Sequence, residues 1–86
     1  MYTVYIIYSH SIDKYYIGFT SNIRERLRKH NNNSKGFSSA GRPWMIVYTE
    51  IFDVKKDAMA REIQLKKWKN RERLEKLIRA GSEHPD

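Results

Sequence analysis

Apolar and polar positions change period several times along this chain, and the changes mark out its elements. Residues 3 to 9 (Thr-Val-Tyr-Ile-Ile-Tyr-Ser) are β-branched and aromatic, and Tyr15 to Thr20 is a second such run after the polar stretch His10 to Lys14. Together they predict a β-hairpin. Asn22 stands three residues before Glu25, the spacing of a helix-capping pair, and Ile23, Leu27 and His30 then fall on one face, so a helix is expected to about Asn31. The stretch Asn32 to Pro43 is rich in Asn, Ser and Gly and reads as a mobile, basic surface loop. Strand composition returns from Trp44 to Phe52. Asp53 is placed to cap a second helix through about Trp68; a break near Asn70 and a last helix to Ala80 follow, with Gly81 as its C-terminal stop.

The predicted order is therefore β-β-α-β-α-α, without an internal repeat. The simplest arrangement that buries these faces is an α/β (α+β) fold, a three-stranded antiparallel sheet covered by helices. Eighty-six residues leave room for one core only, so a single domain is expected over residues 1–80 with a short C-terminal tail at 81–86. Composition adds exclusions. With no cysteine, neither a disulfide framework nor a thiolate zinc site is available. The longest apolar run, Val4 to Tyr8, is too short to span a bilayer, and no basic region followed by an apolar stretch opens the chain. A cytoplasmic protein that avoids membranes is expected.

Charge changes the picture further. Seventeen Lys and Arg against ten Asp and Glu give a formal net charge of +7, which suits a polyanionic partner. The first twenty residues carry one Lys and one Asp, whereas Arg61 to Arg79 carry eight basic side chains against three acidic ones. A nucleic-acid-binding face would look like this; so would a solvated helix face or a ribosome-associated protein.

Three features resist a purely structural reading. Helical rotation of about 100° per residue places Glu62 among Ala58, Met59 and Leu65, inside the apolar arc. A carboxylate there is either an ion-pair partner or a ligand to a cation. Arg26 and His30 lie one turn apart beside Ile23 and Leu27 and face the sheet; a snorkelling Arg and a His bonded to a carbonyl would also account for them. Tyr5 and Tyr16 occupy the two hairpin strands, near enough to be cross-strand neighbours or simply packing residues, and Gly18 in mid-strand marks a close approach by a ligand or another backbone.

Taken in order, these residues resemble the GIY-YIG nuclease superfamily. Its first motif appears as Thr3-Val4-Tyr5 and its second as Tyr16-Ile17-Gly18, with the tyrosines eleven residues apart. Thr20, Asn22, Arg26, Leu27 and His30 continue the match, followed by Arg42-Pro43-Trp44, Val47-Tyr48, Arg61-Glu62 and Lys66-Lys67-Trp68. Thr3 and Val4 depart from the Gly and Ile of the first motif. The chain is most similar to small stand-alone bacterial members, which resemble the nuclease domain of the excision-repair endonuclease.

The resemblance implies one catalytic surface built from Tyr5, Tyr16, Arg26, His30 and Glu62. It implies hydrolysis of DNA phosphodiesters in repair or recombination, with Mg²⁺ or Mn²⁺ held by Glu62 and phosphate oxygens. Arg26 would face the scissile phosphate, and one tyrosine, assisted by His30 or nearby cations, would act on the attacking water. Asn70 is a candidate for the polar residue that many members carry beyond the glutamate. Lys35, Arg42, Arg61, Lys66, Lys67, Lys69 and Arg71 are the expected contacts to the backbone of duplex or branched DNA, with low sequence specificity and a monomeric protein. The competing expectation is a nucleic-acid-binding module that keeps the fold without useful catalysis, or a ribosome- or protein-associated factor.

Overall fold

In the computed structural model, which describes residues 1–32 and 40–82, the strands are β1 (Tyr2–Ser9), β2 (Lys14–Thr20) and β3 (Trp44–Phe52), and the helices are α1 (Ile23–Asn32), α2 (Lys55–Lys67) and α3 (Arg71–Ser82). The order β-β-α-β-α-α and the three-stranded antiparallel sheet agree with expectation. β1 is central, paired with β2 on one side and β3 on the other.

That central position explains why Val4 to Ile7 is a continuous apolar run rather than an alternation: both faces of β1 are covered. Val4 packs with Ala58 and Leu65 and, around them, Trp68 and Leu77, so α2 and α3 cover one face. Tyr5, Ile7 and Trp44 form the second cluster with Ile23 and Leu27 of α1 against the other face. The hairpin turn between β1 and β2 puts Asp13 in the left-handed region (φ 53°), a conformation that Asp tolerates better than most residues. Ser9, fully buried, accepts the backbone N–H of Ile12 at 3.3 Å and steadies the same turn.

The junctions show which local signals hold. Asn22 caps α1 as expected, its Oδ1 accepting the Glu25 N–H at 3.1 Å. Glu25 does not complete the reciprocal half of the pair; its carboxylate accepts from Arg28 at 2.6 Å instead. Asp53 is not the cap of α2. The N-cap is Val54, in extended conformation and without a side-chain cap, while Asp57 sits in the first turn, where its charge favours the helix dipole. Between α2 and α3 the chain turns at Lys69 (φ 47°), and Asn70 caps α3 through Oδ1 to the Arg73 N–H at 3.0 Å.

Gly81 is a correction of a different kind. α3 continues through Ser82, so Gly81 lies within the helix. A Cβ at Gly81 would stand 2.7 Å from the Tyr48 ring, so the glycine lets α3 approach β3 and does not end the helix. Met59, expected in the buried arc of α2, is 42% exposed, because the helix turns Ala58 and Leu65 to the sheet. The loop expected from Asn32 to Pro43 falls mostly outside the described residues, and Lys35 with it.

Candidate active site

The hairpin register determines where the two motif tyrosines meet. Tyr5 lies opposite Gly18 and Ile7 opposite Tyr16, so Tyr5 and Tyr16 are diagonal neighbours on the face that α1 covers. The close approach expected at Gly18 is that of Tyr5 itself: a Cβ at Gly18 would stand 2.5 Å from the Tyr5 hydroxyl oxygen and 2.7 Å from Cζ. Glycine is required there because the phenol crosses the strand at that residue.

Thr20 ends β2 and fixes how α1 leaves it. Its Oγ1 accepts the Asn22 N–H at 3.1 Å and donates to the Asn22 carbonyl at 3.3 Å. Directly after this joint, α1 places Arg26 beside the tyrosines and His30 beneath them. His30 Nε2 lies 3.2 Å from the Tyr5 hydroxyl, and the imidazole meets the Tyr16 ring edge-on at a centroid distance of 4.8 Å. Trp44 closes the aromatic cluster, 6.3 Å from His30, and is itself held by Asn31, whose side chain accepts the Trp44 N–H at 2.6 Å and donates to the Trp44 carbonyl at 3.2 Å. The end of α1 is thus tied to the start of β3 as one strand is tied to another.

From the other side of the sheet α2 brings Glu62. Tyr5, Tyr16, Gly18, Arg26 and Glu62 line one open cleft of about 370 Å³, with His30 behind Tyr5 rather than in the wall. The Glu62 side chain is 18% exposed and pairs with Lys66 one turn later, Oε2 to Nζ 3.5 Å. Both readings of Glu62 therefore meet in one residue: it has an ion-pair partner, and it faces a polar cleft. Sequence reasoning missed Tyr2, Ser21 and Lys55, which also line this cleft together with Thr20. Thr20 and Ser21 directly follow the second motif and were within reach of it. Lys55 has no local signal, since only the docking of α2 brings its first turn to the end of the hairpin.

The electrostatics of the cleft follow from burial. Desolvation pushes the Tyr5 phenol up to about 12, opposed by the positive charge of Arg26. Burial, with Arg26 as a second cause, lowers His30 from the usual imidazole value, so His30 is neutral at neutral pH. The neutral imidazole and the un-ionised phenol share one hydrogen bond at 3.2 Å, whose direction follows the imidazole tautomer.

The basic residues expected to touch the DNA backbone separate into groups. Lys66, Lys69 and Arg71 line a second cleft beside the first. Lys67 is exposed on α2, and Arg42 is exposed before β3, its carbonyl accepting from Ser11 at 3.1 Å. Arg71 is held by Asp13 at 2.5 Å and by Glu75 at 3.3 Å. Arg61 turns away from both clefts toward β3. There its guanidinium bonds Glu50 at 2.9 Å through both Nε and Nη2, and its side chain is only 23% exposed. In this structure its guanidinium is engaged with Glu50. Asn70 lies in the second cleft as the α3 cap, apart from Glu62.

Comparison with known proteins identifies the family. Residues 1–76 match the family described as the GIY-YIG catalytic domain. The chain is 37% identical over 67 residues to a UPF0213 protein of Staphylococcus saprophyticus, covering 77% of this chain and 80% of the relative. It is 32% identical over 81 residues to a UPF0213 protein of Haloquadratum walsbyi, covering 93% and 89% respectively. The solution NMR structure of a UPF0213 protein of Bacillus halodurans superposes with a TM-score of 0.59 at 27% identity, covering 96% of this chain and 89% of that one.

Proposed function

The chain belongs to the GIY-YIG catalytic-domain family, the nuclease superfamily of that name, and on that premise we propose that it is an endonuclease that hydrolyses DNA phosphodiester bonds. The observation that supports the reading is the convergence of Tyr5, Tyr16, Arg26 and Glu62 on one cleft, with His30 bonded to Tyr5 from behind. These residues come from two strands and two helices on opposite faces of the sheet.

In this mechanism Arg26 donates to the non-bridging oxygens of the scissile phosphate, where its planar, permanently charged guanidinium follows the charge that accumulates as water attacks. Tyr5 is the residue that handles the water. Held at about 12, its phenol is not ionised at neutral pH and cannot take a proton unaided. With Nε2 unprotonated, His30 accepts the Tyr5 hydroxyl proton as the phenol oxygen receives one from the water, so no free phenolate has to form. Tyr16, half-buried at the rim, orients phosphate or water through its hydroxyl.

Among the described residues no group of three or more His, Asp or Glu side chains stands ready for a metal. Glu62 alone fits a hard divalent cation, Mg²⁺ or Mn²⁺, that completes its shell with water and phosphate oxygens. Such a cation would supply charge stabilisation at the phosphate and the leaving oxygen. Among the described residues no helix is long and apolar enough to cross a membrane.

Cleavage of labelled duplex, branched and single-stranded DNA by the wild type and by Glu62→Ala, each with Mg²⁺, Mn²⁺ or EDTA, tests the proposal, with binding followed in parallel. Metal-dependent cleavage that the variant loses while still binding is expected. Binding without cleavage under any metal would overturn the nuclease and favour a binding module, the reading in which the Glu62–Lys66 pair is simply structural.

A further inference from the structure

A second cleft, of about 330 Å³, lies between β2 and the junction of α2 and α3. Its walls differ from those of the first. Ile17, Leu65 and Leu74 give it an apolar floor, Trp68 adds a ring edge beside them with the Arg73 guanidinium 4.1 Å over its ring, and Lys14, Lys66 and Lys69 stand around it. The other polar groups here are already engaged: Asp13 with Arg71, Asn70 as the α3 cap, and the Tyr15 hydroxyl with Glu75 at 3.0 Å. No ion pair among the described residues holds Lys14 or Lys69, and both are exposed. What remains for a ligand is therefore apolar surface below, the ammonium groups of Lys14 and Lys69, and Lys66, which shares its charge with Glu62 at 3.5 Å.

The linings of the two clefts adjoin along β2 and α2. Ile17 belongs to one and Gly18 to the other, and on α2 Glu62 faces the first while Lys66, one turn or about 5.4 Å further along, faces the second. A strand whose phosphate lies at Arg26 and Glu62 would carry its next nucleotide toward the lysines. The volume is at the small end of ligand pockets, which run from about 300 Å³, and suits one nucleotide rather than a duplex. An apolar floor is useful only to a base that presents its face, and bases in an intact duplex have both faces stacked.

Resting on the nuclease reading of the first cleft, we propose that the second cleft holds one unstacked nucleotide of the cut strand, its base on the apolar floor and its phosphates at Lys14, Lys66 and Lys69. The substrate class that follows is DNA with an unpaired nucleotide beside the scissile phosphate, as in a fork or flap, in preference to continuous duplex. Seating a nucleotide from a continuous duplex requires unpairing it first, at a cost that an already unpaired nucleotide avoids.

The test compares a forked and a continuous duplex of the same sequence in two assays. Cleavage is measured with the wild type and Mg²⁺, and binding with Glu62→Gln in EDTA. Both are repeated with Lys14→Glu and Lys69→Glu combined, and with Lys67→Glu, an exposed charge on α2 that lines neither cleft. A preference of tenfold or more for the fork is expected in both assays. The double variant should reduce that preference to threefold or less, whereas Lys67→Glu should weaken fork and duplex alike and leave their ratio unchanged. Equal treatment of fork and duplex, or a preference that survives the double reversal, would overturn the subsite while leaving the nuclease intact. A fork preference in binding without any cleavage would retain the subsite and overturn the nuclease; no binding to either DNA would overturn both.

Discussion

Arg61 and Glu62 are consecutive residues of one helix, about 100° apart around its axis, and they work in different parts of the molecule. Arg61 meets Glu50 of β3 through two nitrogens at 2.9 Å, and Tyr48 donates to the same carboxylate at 2.5 Å; both partners of the pair are largely shielded from solvent. Glu62 meets Lys66 at 3.5 Å, on a partner that is half exposed, at the wall of an open cleft. The first pair fastens α2 to the sheet. Glu62 itself is no more exposed than Glu50, at 18%, but its ion-pair partner is a single half-exposed lysine of the same helix at a longer distance. The difference between the two is in the number and length of the bonds and in the cleft that Glu62 lines.

Substitutions can break this contrast, and the largest effect should come from Glu62→Gln. If the carboxylate serves the reaction, cleavage should fall by about 10²–10³-fold or more, on the scale of other lost transition-state stabilisers. The melting temperature should hardly move, since glutamine keeps the shape of the side chain and an i,i+4 helix pair contributes about 0.3–0.5 kcal/mol. A large loss of stability in thermal unfolding would show the pair to be structural after all. Arg61→Ala should do the reverse. Leaving Glu50 partly buried without its partner should cost about 2–3 kcal/mol in urea unfolding, somewhat below the figure for a fully buried pair, while cleavage at low temperature stays close to wild type.

Arg26→Lys should retain charge and lose the two-point fork, lowering kcat about tenfold with little change in stability; unchanged kcat would remove Arg26 from the phosphate. The pH profile tests His30. Its folded-state value is depressed, so the unfolded chain binds more protons as pH falls through about 6.5. His30 therefore costs no stability above that value, and stability declines as pH drops toward the lower folded-state value. The acid limb of kcat should follow the same group, and His30→Gln should flatten it. The smallest effect belongs to Lys69→Gly, which relieves a left-handed residue (φ 47°) between α2 and α3 and should gain roughly 0.5–1 kcal/mol in thermal unfolding.

The legible parts of the chain were those whose physics is local. β3 begins at Trp44 and ends at Phe52 as composition indicates, and Asn22 caps α1 because its side chain reaches a backbone N–H three residues away. The misread residues, Asp53, Met59 and Gly81, share a cause. Capping geometry, the rotation of a helix about its axis and the approach of a glycine to a ring all depend on partners distant in the chain, here the sheet that α2 and α3 dock against. The five residues expected at the site could be named from their order and types. The bond between Tyr5 and His30, and the exchange of roles by which Arg61 leaves the surface and Lys55 joins the cleft, could not.

The sequence by itself determined the element order, the positive charge and the family, because these are carried by residue type and spacing. Tertiary structure alone decided which charges face a ligand. The same guanidinium is a surface contact or an internal brace according to which side of α2 meets β3, and that choice is made by the packing of Ala58 and Leu65 against Val4, over separations that no local pattern records.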